Sequence, residues 1–458
     1  MNTNPAVGVV AGRVGSWTVS LPWGWGSSFR SALLIPALIA SLAVWLVVGV
    51  MPAAAAPPNS LGLRATYNVQ ATLNWSAGTL DVSSTAHVKN TTSSSVTKLT
   101  FNLLPLRLSK VVGLTANAGG TAVTPNVSDQ SVIVPLARSL APGREIDVTI
   151  NYRAGFNTNT SGKRSLLMKK NGTAAAYRWI PWLSREQQFS TPNFGESWVT
   201  ATSPRVTVTF TSDEPLKYAT SGERTAAKGN SQTFVATYVR DFNFSASPNY
   251  SVKKVYWGGI KINLFYRTFD PGRLQAWTIR ALERFTDKVG KYPYDHFSVA
   301  ETPAGVGMES PAMTWIDATI ANSRIPYIIV HETSHQWFYS TIGNNQATEP
   351  FLDEAVGDFL TRDLLGSFRR SDCAEARLDK TVYGYQGRCY NEVIYVQGGL
   401  YLRDYKDEVG ANTFWSGLNN FYRDRKFEIA STRSLLDHLD AASGFKSQRH
   451  EDRFPSLY

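Results

Sequence analysis

Two histidines four residues apart and a carboxylate nineteen positions further on restrict this chain more than anything else in its 458 residues. His331-Glu332-Thr333-Ser334-His335 lies between Tyr327-Ile328-Ile329-Val330 and Gln336-Trp337-Phe338-Tyr339, an apolar context long enough for a helix. On a helix, residues four apart share a face, so both imidazoles can reach one metal ion while Glu332 stands beside them. A catalytic zinc needs a third protein ligand and an open position for water. Eighteen residues intervene before Glu354, which sits in a second helix-like stretch, residues 350–360. The fold must therefore bring a second helix and its carboxylate to the two imidazoles. A third histidine at position 341, following a glycine at 338, is excluded, because those positions hold Thr341 and Phe338. The donor set of two imidazoles and one carboxylate suits zinc.

These residues resemble the gluzincin metallopeptidases of the aminopeptidase N type, whose zinc signature has the same spacing and ends in a Trp-Leu-Asn-Glu-Gly-like stretch, here Phe351-Leu352-Asp353-Glu354-Ala355. A second motif of that family, Gly-x-Met-Glu-Asn, is matched by Val306-Gly307-Met308-Glu309-Ser310, with Val306 for the first Gly and Ser310 for the Asn. A third, Tyr-x-Lys-Gly, is matched in part by Tyr395-Val396-Gln397-Gly398, with Gln397 in place of Lys. The resemblance extends to residues 238–242 and to the final helices, strongly in the second half of the chain and weakly in the first. It implies zinc held by His331, His335 and Glu354, with Glu332 as general base. It also implies that Tyr395 donates to the developing oxyanion, where its ordinary alternative is a packed residue. Glu309, preceded by Gly307 and Met308, would bind the free α-amine of a peptide; read alone it is a solvated loop acid. Asp358, one helical turn after Glu354, is placed to accept the outer N–H of a zinc-bound histidine, or is a solvated helix acid. Many relatives continue into a large helical domain, whereas this chain stops at Tyr458, so a short form with a more open cleft is expected.

The fold class expected is multi-domain: an N-terminal antiparallel β-sandwich-like domain over residues 57–257, then a mixed α+β, mainly helical domain over 258–458, thermolysin-like by resemblance. Residues 145–152 and 205–210 alternate apolar with polar, placing Ile146, Val148, Ile150 and Tyr152 on one face of a strand. After Trp257-Gly258-Gly259 the period changes: Leu274, Trp277, Ala281, Phe285 and Val289 recur at helical spacing, and residues 413–424 and 431–442 also read as helices. Ser431 or Thr432 is available to cap the latter, and Gly444 lies beyond its end. The net charge of +10 is uneven. Residues 1–56 carry +2, residues 57–257 carry 21 basic against 10 acidic side chains, and residues 258–458 carry 23 against 26. The basic residues are scattered singly through Ser/Thr-rich segments rather than clustered with aromatics, which argues against nucleic acid as a partner; peptides as the substrates are what the resemblance implies. A diffuse basic face suits an anionic envelope surface, or is simply solvated.

Residues 1–56 read as a signal peptide or signal-anchor. No ionisable residue occurs over 31–63, and the apolar run 32–51 is about as long as a bilayer crossing requires. Arg13 and Arg30 on its N-terminal side send the rest of the chain across the membrane, to an extracytoplasmic location. Ala-x-Ala triplets before Pro57 offer a cleavage site and secretion; without cleavage the run anchors the protein in the membrane. In that oxidising compartment Cys373 and Cys389 can form a disulfide; the alternative is two reduced, buried thiols. Three functions remain open to the sequence: a zinc aminopeptidase, a zinc endopeptidase on the same scaffold, and a non-catalytic envelope-binding protein.

Overall fold

Period-two burial governs the first half of the chain. In the strand Glu145–Gly155, Val148, Ile150 and Tyr152 are buried, with Ile146 half-buried at its start. In Arg64–Asn74, Ala65, Tyr67, Val69, Ala71 and Leu73 point inward. The computed structural model describes residues 60–184, 199–303 and 307–458. The segment expected to meet the membrane, residues 1–56, lies outside the described residues, as does Val306. Among the described residues no helix is long and apolar enough to cross a membrane.

Where a sandwich of two antiparallel sheets is expected, the described residues of this region form three. An eight-stranded sheet carries Arg64–Asn74 and Glu145–Gly155, and Arg64–Asn74 pairs parallel with Val206–Ser212. Two four-stranded sheets join it, one built around Thr173–Ala176 and Phe244–Ser247, the other around Val96–Asn102 and Ser131–Leu140. Thr173–Ala176 and Phe244–Ser247 are buried at every position, so they carry no alternation for a sequence pattern to reveal.

The Gly258-Gly259 pair, which marks a change of pattern in the sequence, is a hairpin turn. Both glycines have positive φ, 56° and 84°, as a two-residue type I′ turn requires. It joins Ser251–Trp257 to Ile260–Tyr266 at one side of a five-stranded mixed sheet, completed by His296–Thr302, Met313–Asp317 and the edge strand Met308–Ser310. Alternate side chains of this sheet enter different cores. Phe297, Val299 and Ile316 pack with the helices, whereas Ala300, Met313 and Trp315 pack with the β-rich first half. The sheet thus couples the two regions and holds Glu309 at its edge. Arg240 makes a second tie: fully buried, it donates to the carbonyls of Thr200, Ser340, Thr341 and Glu428.

Helices follow. Pro271–Lys288 is capped by Asp270, whose carboxylate accepts from Gly272 N at 2.8 Å, and it buries Leu274, Ala281 and Phe285. Thr432–Ser443 begins at Ser431, which accepts from Ser434 N, and stops at left-handed Gly444.

Candidate active site

The helix Ile325–Ser334, with Pro326 in its first turn, presents His331 and Glu332 from its C-terminal half. The apolar run beyond it does not extend the helix. His335 is the C-cap residue, still in right-handed helical conformation, so the four-residue spacing keeps both rings on one face. The chain then turns sharply to Tyr339, which has φ 114°, a strained value for a bulky residue, and is held by its hydroxyl on Asp241 and by Tyr339 N on Ile342 O at 2.9 Å.

Glu354 comes from a π-helical turn, Phe351–Ala355, and Tyr395 from a second one, Asn391–Gln397. Such turns widen the helix and recur at functional sites. Three glycines let these pieces converge. A Cβ on Gly357 would lie 2.9 Å from Ser334 Oγ and 3.3 Å from His335 Cε1. One on Gly398 would lie 2.5 Å from Ala355 Cβ, so the helix Gly398–Val409 seats directly behind Glu354. One on Gly307 would fall against the Glu332 side chain, 2.6 Å from Cγ and nearer still to the carboxyl group.

The result is a compact donor set. His331 Nε2 and His335 Nε2 are 3.2 Å apart, and Glu354 Oε2 is 3.3 Å from the first and 3.6 Å from the second. Tetrahedral zinc with bonds of about 2.0–2.2 Å separates its ligand atoms by roughly 3.3–3.6 Å, so the three atoms fit the corners of one zinc site. Glu354 Oε2 is buried with no hydrogen-bond donor, as a metal-facing oxygen would be. His335 Nδ1 lies 3.1 Å from Phe338 O and 2.8 Å from Asp353 Oδ1, both acceptors. It therefore carries the proton and leaves the Nε2 lone pair facing the other donors.

Asp358 does not take the place expected of it. Its carboxylate accepts from the Tyr327 hydroxyl and from Arg362, and the Tyr327 ring stacks on His331 at 5.7 Å between centroids. The one-turn estimate assumes α geometry, whereas the π turn at 351–355 shifts the facing register, and Asp353 meets the histidine instead. Gln397 also points away from the site, donating to Cys373 O at 2.8 Å and accepting from Arg453 at 2.8 Å. Cys373 and Cys389 are joined in a disulfide with a Cα–Cα distance of 5.8 Å, closing a segment whose Val382 and Tyr383 line the active-site cavity.

That cavity, about 980 Å³, contains Glu309, His331, Glu332, Glu354 and Tyr395 on its walls. Carboxylate oxygens of Glu309 and Glu332 and a nitrogen of His335 lie within 4.8 Å of one another. Gln336, not singled out by the sequence, holds the strand that bears Glu309: it donates to Ser310 O at 2.9 Å and accepts from Ala312 N at 2.8 Å. Ser310 Oγ in turn accepts from Asn243 at 2.7 Å, which gives the serine in this motif a structural role.

Burial pushes the Glu332 carboxyl well up, with Glu309, Glu354 and Asp353 adding to the rise against His335. Burial also works to raise Glu354, but His331, His335 and Tyr395 outweigh it and hold that carboxyl down at about 2. Tyr395, half-buried at the cavity wall, is pushed well above the ordinary phenol range by desolvation and by the Glu354 carboxylate to which it hydrogen-bonds, which keeps its proton available for donation.

No protein-family model matches the chain. Over 252 residues it is 23% identical to Aminopeptidase 2 of Candida albicans, an alignment covering 46% of this chain. The chain spans about a quarter of the length of that curated relative, 26%. Solved structures match over far more of the fold. An M1 zinc metallopeptidase from Deinococcus radiodurans superimposes with TM-score 0.67 at 19% identity, covering 85% of this chain and 92% of the other. A variant of the Deinococcus enzyme bound to a Tyr-Ser-Ala substrate gives 0.67 at 19%, covering 86% and 94%. A two-domain M1 zinc metallopeptidase bound to L-arginine gives 0.65 at 20%, covering 84% and 91%. The β-rich region, the coupling sheet and the helices around the HExxH segment together have the fold of the two-domain M1 zinc metallopeptidases.

Proposed function

We propose that the protein is a zinc aminopeptidase that removes residues from the N-termini of peptides. The observation that carries this reading is the spacing of 3.2–3.6 Å among His331 Nε2, His335 Nε2 and Glu354 Oε2, with Glu332 and Glu309 beside them in one cavity. Zinc in that site would polarise the scissile carbonyl and lower the pKa of a water toward about 7. The chain's own groups account for the rest. Glu332, outside the donor triangle, takes the proton from the attacking water and returns it to the leaving amine. The Tyr395 hydroxyl, kept protonated by its surroundings, donates to the oxygen that gains charge. Glu309 on its edge strand pairs with the substrate ammonium and so limits cleavage to the first bond.

The apolar run at 32–51 and the Cys373–Cys389 disulfide support export to an oxidising compartment, secreted or tethered through that run. Metal analysis with a panel of aminoacyl fluorogenic substrates tests the reading. One zinc per chain together with release of the N-terminal residue is expected. A protein that binds no zinc, or one that binds zinc and cuts none of the substrates, would contradict it.

A further inference from the structure

A chain of buried polar contacts runs from the β-rich region to the metal site. Arg178, 4% exposed, follows the strand Thr173–Ala176. It donates through Nη2 to Gln346 Oε1 at 3.0 Å. Gln346 Nε2 donates to Asp353 Oδ2 at 2.6 Å, and Asp353 Oδ1 lies 2.8 Å from His335 Nδ1. All four side chains are buried.

The direction of each contact is fixed by chemistry. A guanidinium can only donate, so the amide of Gln346 must turn its oxygen to Arg178 and its NH₂ to Asp353. Asp353 is thereby held with one oxygen satisfied and the other against His335 Nδ1. Phe338 O accepts from that Nδ1 at 3.1 Å and Asp353 Oδ1 stands beside it at 2.8 Å, so the two oxygens together keep the proton on Nδ1 and the lone pair on Nε2, the atom that faces His331 and Glu354.

The chain also invests strain at this place. Arg178 has φ 45° and Tyr339 has φ 114°, both in the left-handed half of backbone space that non-glycine residues avoid. Each is tied into one network. Arg178 N donates to Asn243 Oδ1 at 2.7 Å, Asn243 donates to Asp241 Oδ1 at 3.0 Å, and the Tyr339 hydroxyl bonds to Asp241 while Arg178 Nε stands 3.7 Å from that carboxylate. A merely space-filling arginine would require neither the strain nor the aligned amide.

We propose that Arg178 and Gln346 are positioning residues of the zinc site, acting through Asp353 to fix the tautomer and orientation of His335. This rests on the zinc reading above and extends it: the β-rich region, beyond framing the cavity, sets the metal affinity. The test is zinc affinity of the full chain, stripped and retitrated against a competing chelator, in wild type, Gln346→Met, Arg178→Met, Asp353→Asn and the Gln346→Met/Asp353→Asn double variant. The visible spectrum of the cobalt-loaded forms is recorded alongside.

Zinc binding weakened about 10- to 100-fold in Gln346→Met and in Arg178→Met is expected, with a shifted cobalt band, as for other outer partners of a ligating histidine. The double variant is expected to bind no more weakly than Asp353→Asn alone, because Gln346 acts only through that carboxylate. Should Arg178→Met fail to fold, the near-isosteric Gln346→Met decides. Wild type that binds one zinc while Gln346→Met binds within about twofold of it, with an unchanged cobalt spectrum, overturns the relay alone. Wild type that binds no zinc overturns the underlying reading, and the relay with it.

Discussion

Replacing Gly307 by alanine places a methyl group where the Glu332 side chain, the proposed general base, now sits. The added carbon would be 2.6 Å from Glu332 Cγ and nearer to the carboxyl carbon and oxygen, against an ordinary contact of 3.4 Å or more. Something must therefore move by about 0.8 Å at Cγ and further at the carboxylate. The edge strand is the stiffer side. Thr314 Oγ1 donates to Met308 O at 3.1 Å and Gln336 to Ser310 O at 2.9 Å, while Glu332 Oε2 has no hydrogen-bond partner. The base yields. A misplacement of about 1 Å in a reacting group can cost on the order of 100-fold in rate, equivalent to about 2.7 kcal/mol of barrier. Gly307→Ala is thus expected to lower kcat about 100-fold on an aminoacyl fluorogenic substrate, with KM and zinc content near those of wild type. If the strand gave way instead, Glu309 would move and KM would rise with kcat preserved. A variant within threefold of wild type in both parameters would refute the argument.

Other expectations follow from the same geometry. Glu332→Gln should retain one zinc and lose activity by about 10²–10⁴-fold, measured by metal analysis and initial rates; full activity would support a non-catalytic role for the site. Tyr395→Phe should reduce kcat by about 10²–10³-fold with little change in KM, as loss of one oxyanion donor does. Reducing Cys373–Cys389 frees a loop of sixteen residues' separation and should destabilise the protein by about 3 kcal/mol in denaturant unfolding, with KM also rising because Val382 and Tyr383 line the cavity. Asp213 accepts from Trp75 N, Ser76 N and Ser76 Oγ, which hold its carboxyl at about 2. A carboxyl lowered in the folded state contributes stability above its unfolded pKa and loses it as pH falls toward the folded value. Asp213→Asn should therefore flatten the acid limb of the unfolding curve between about pH 4 and 2.

The convergence of His331, His335 and Glu354 is legible because their spacing is a local property: four residues on a helix and a fixed count to Glu354. Strand faces such as Val148, Ile150 and Tyr152 were legible for the same reason. Asp358 misleads because one helical turn was counted in α geometry across a π turn, which no sequence pattern announces. Asp353 is suggested in sequence only by its adjacency to Glu354. Arg178 and Gln346 carried no signal, since their contact spans 168 residues of sequence and depends on how the coupling sheet seats the two regions. Buried strands such as Thr173–Ala176 lack alternation, and the hairpin at Gly258-Gly259 resembles a boundary until its partner strand is known.

The most direct test of the central claim is a rate comparison on the zinc-loaded protein, using one peptide with its α-amine free and the same peptide Nα-acetylated. With Glu309 taking the ammonium, the free peptide should be cut at its first bond and the acetylated one at least about 100-fold more slowly, a loss of about 2.7 kcal/mol of transition-state binding. Equal cleavage of both, or cleavage at internal bonds, would contradict the aminopeptidase assignment.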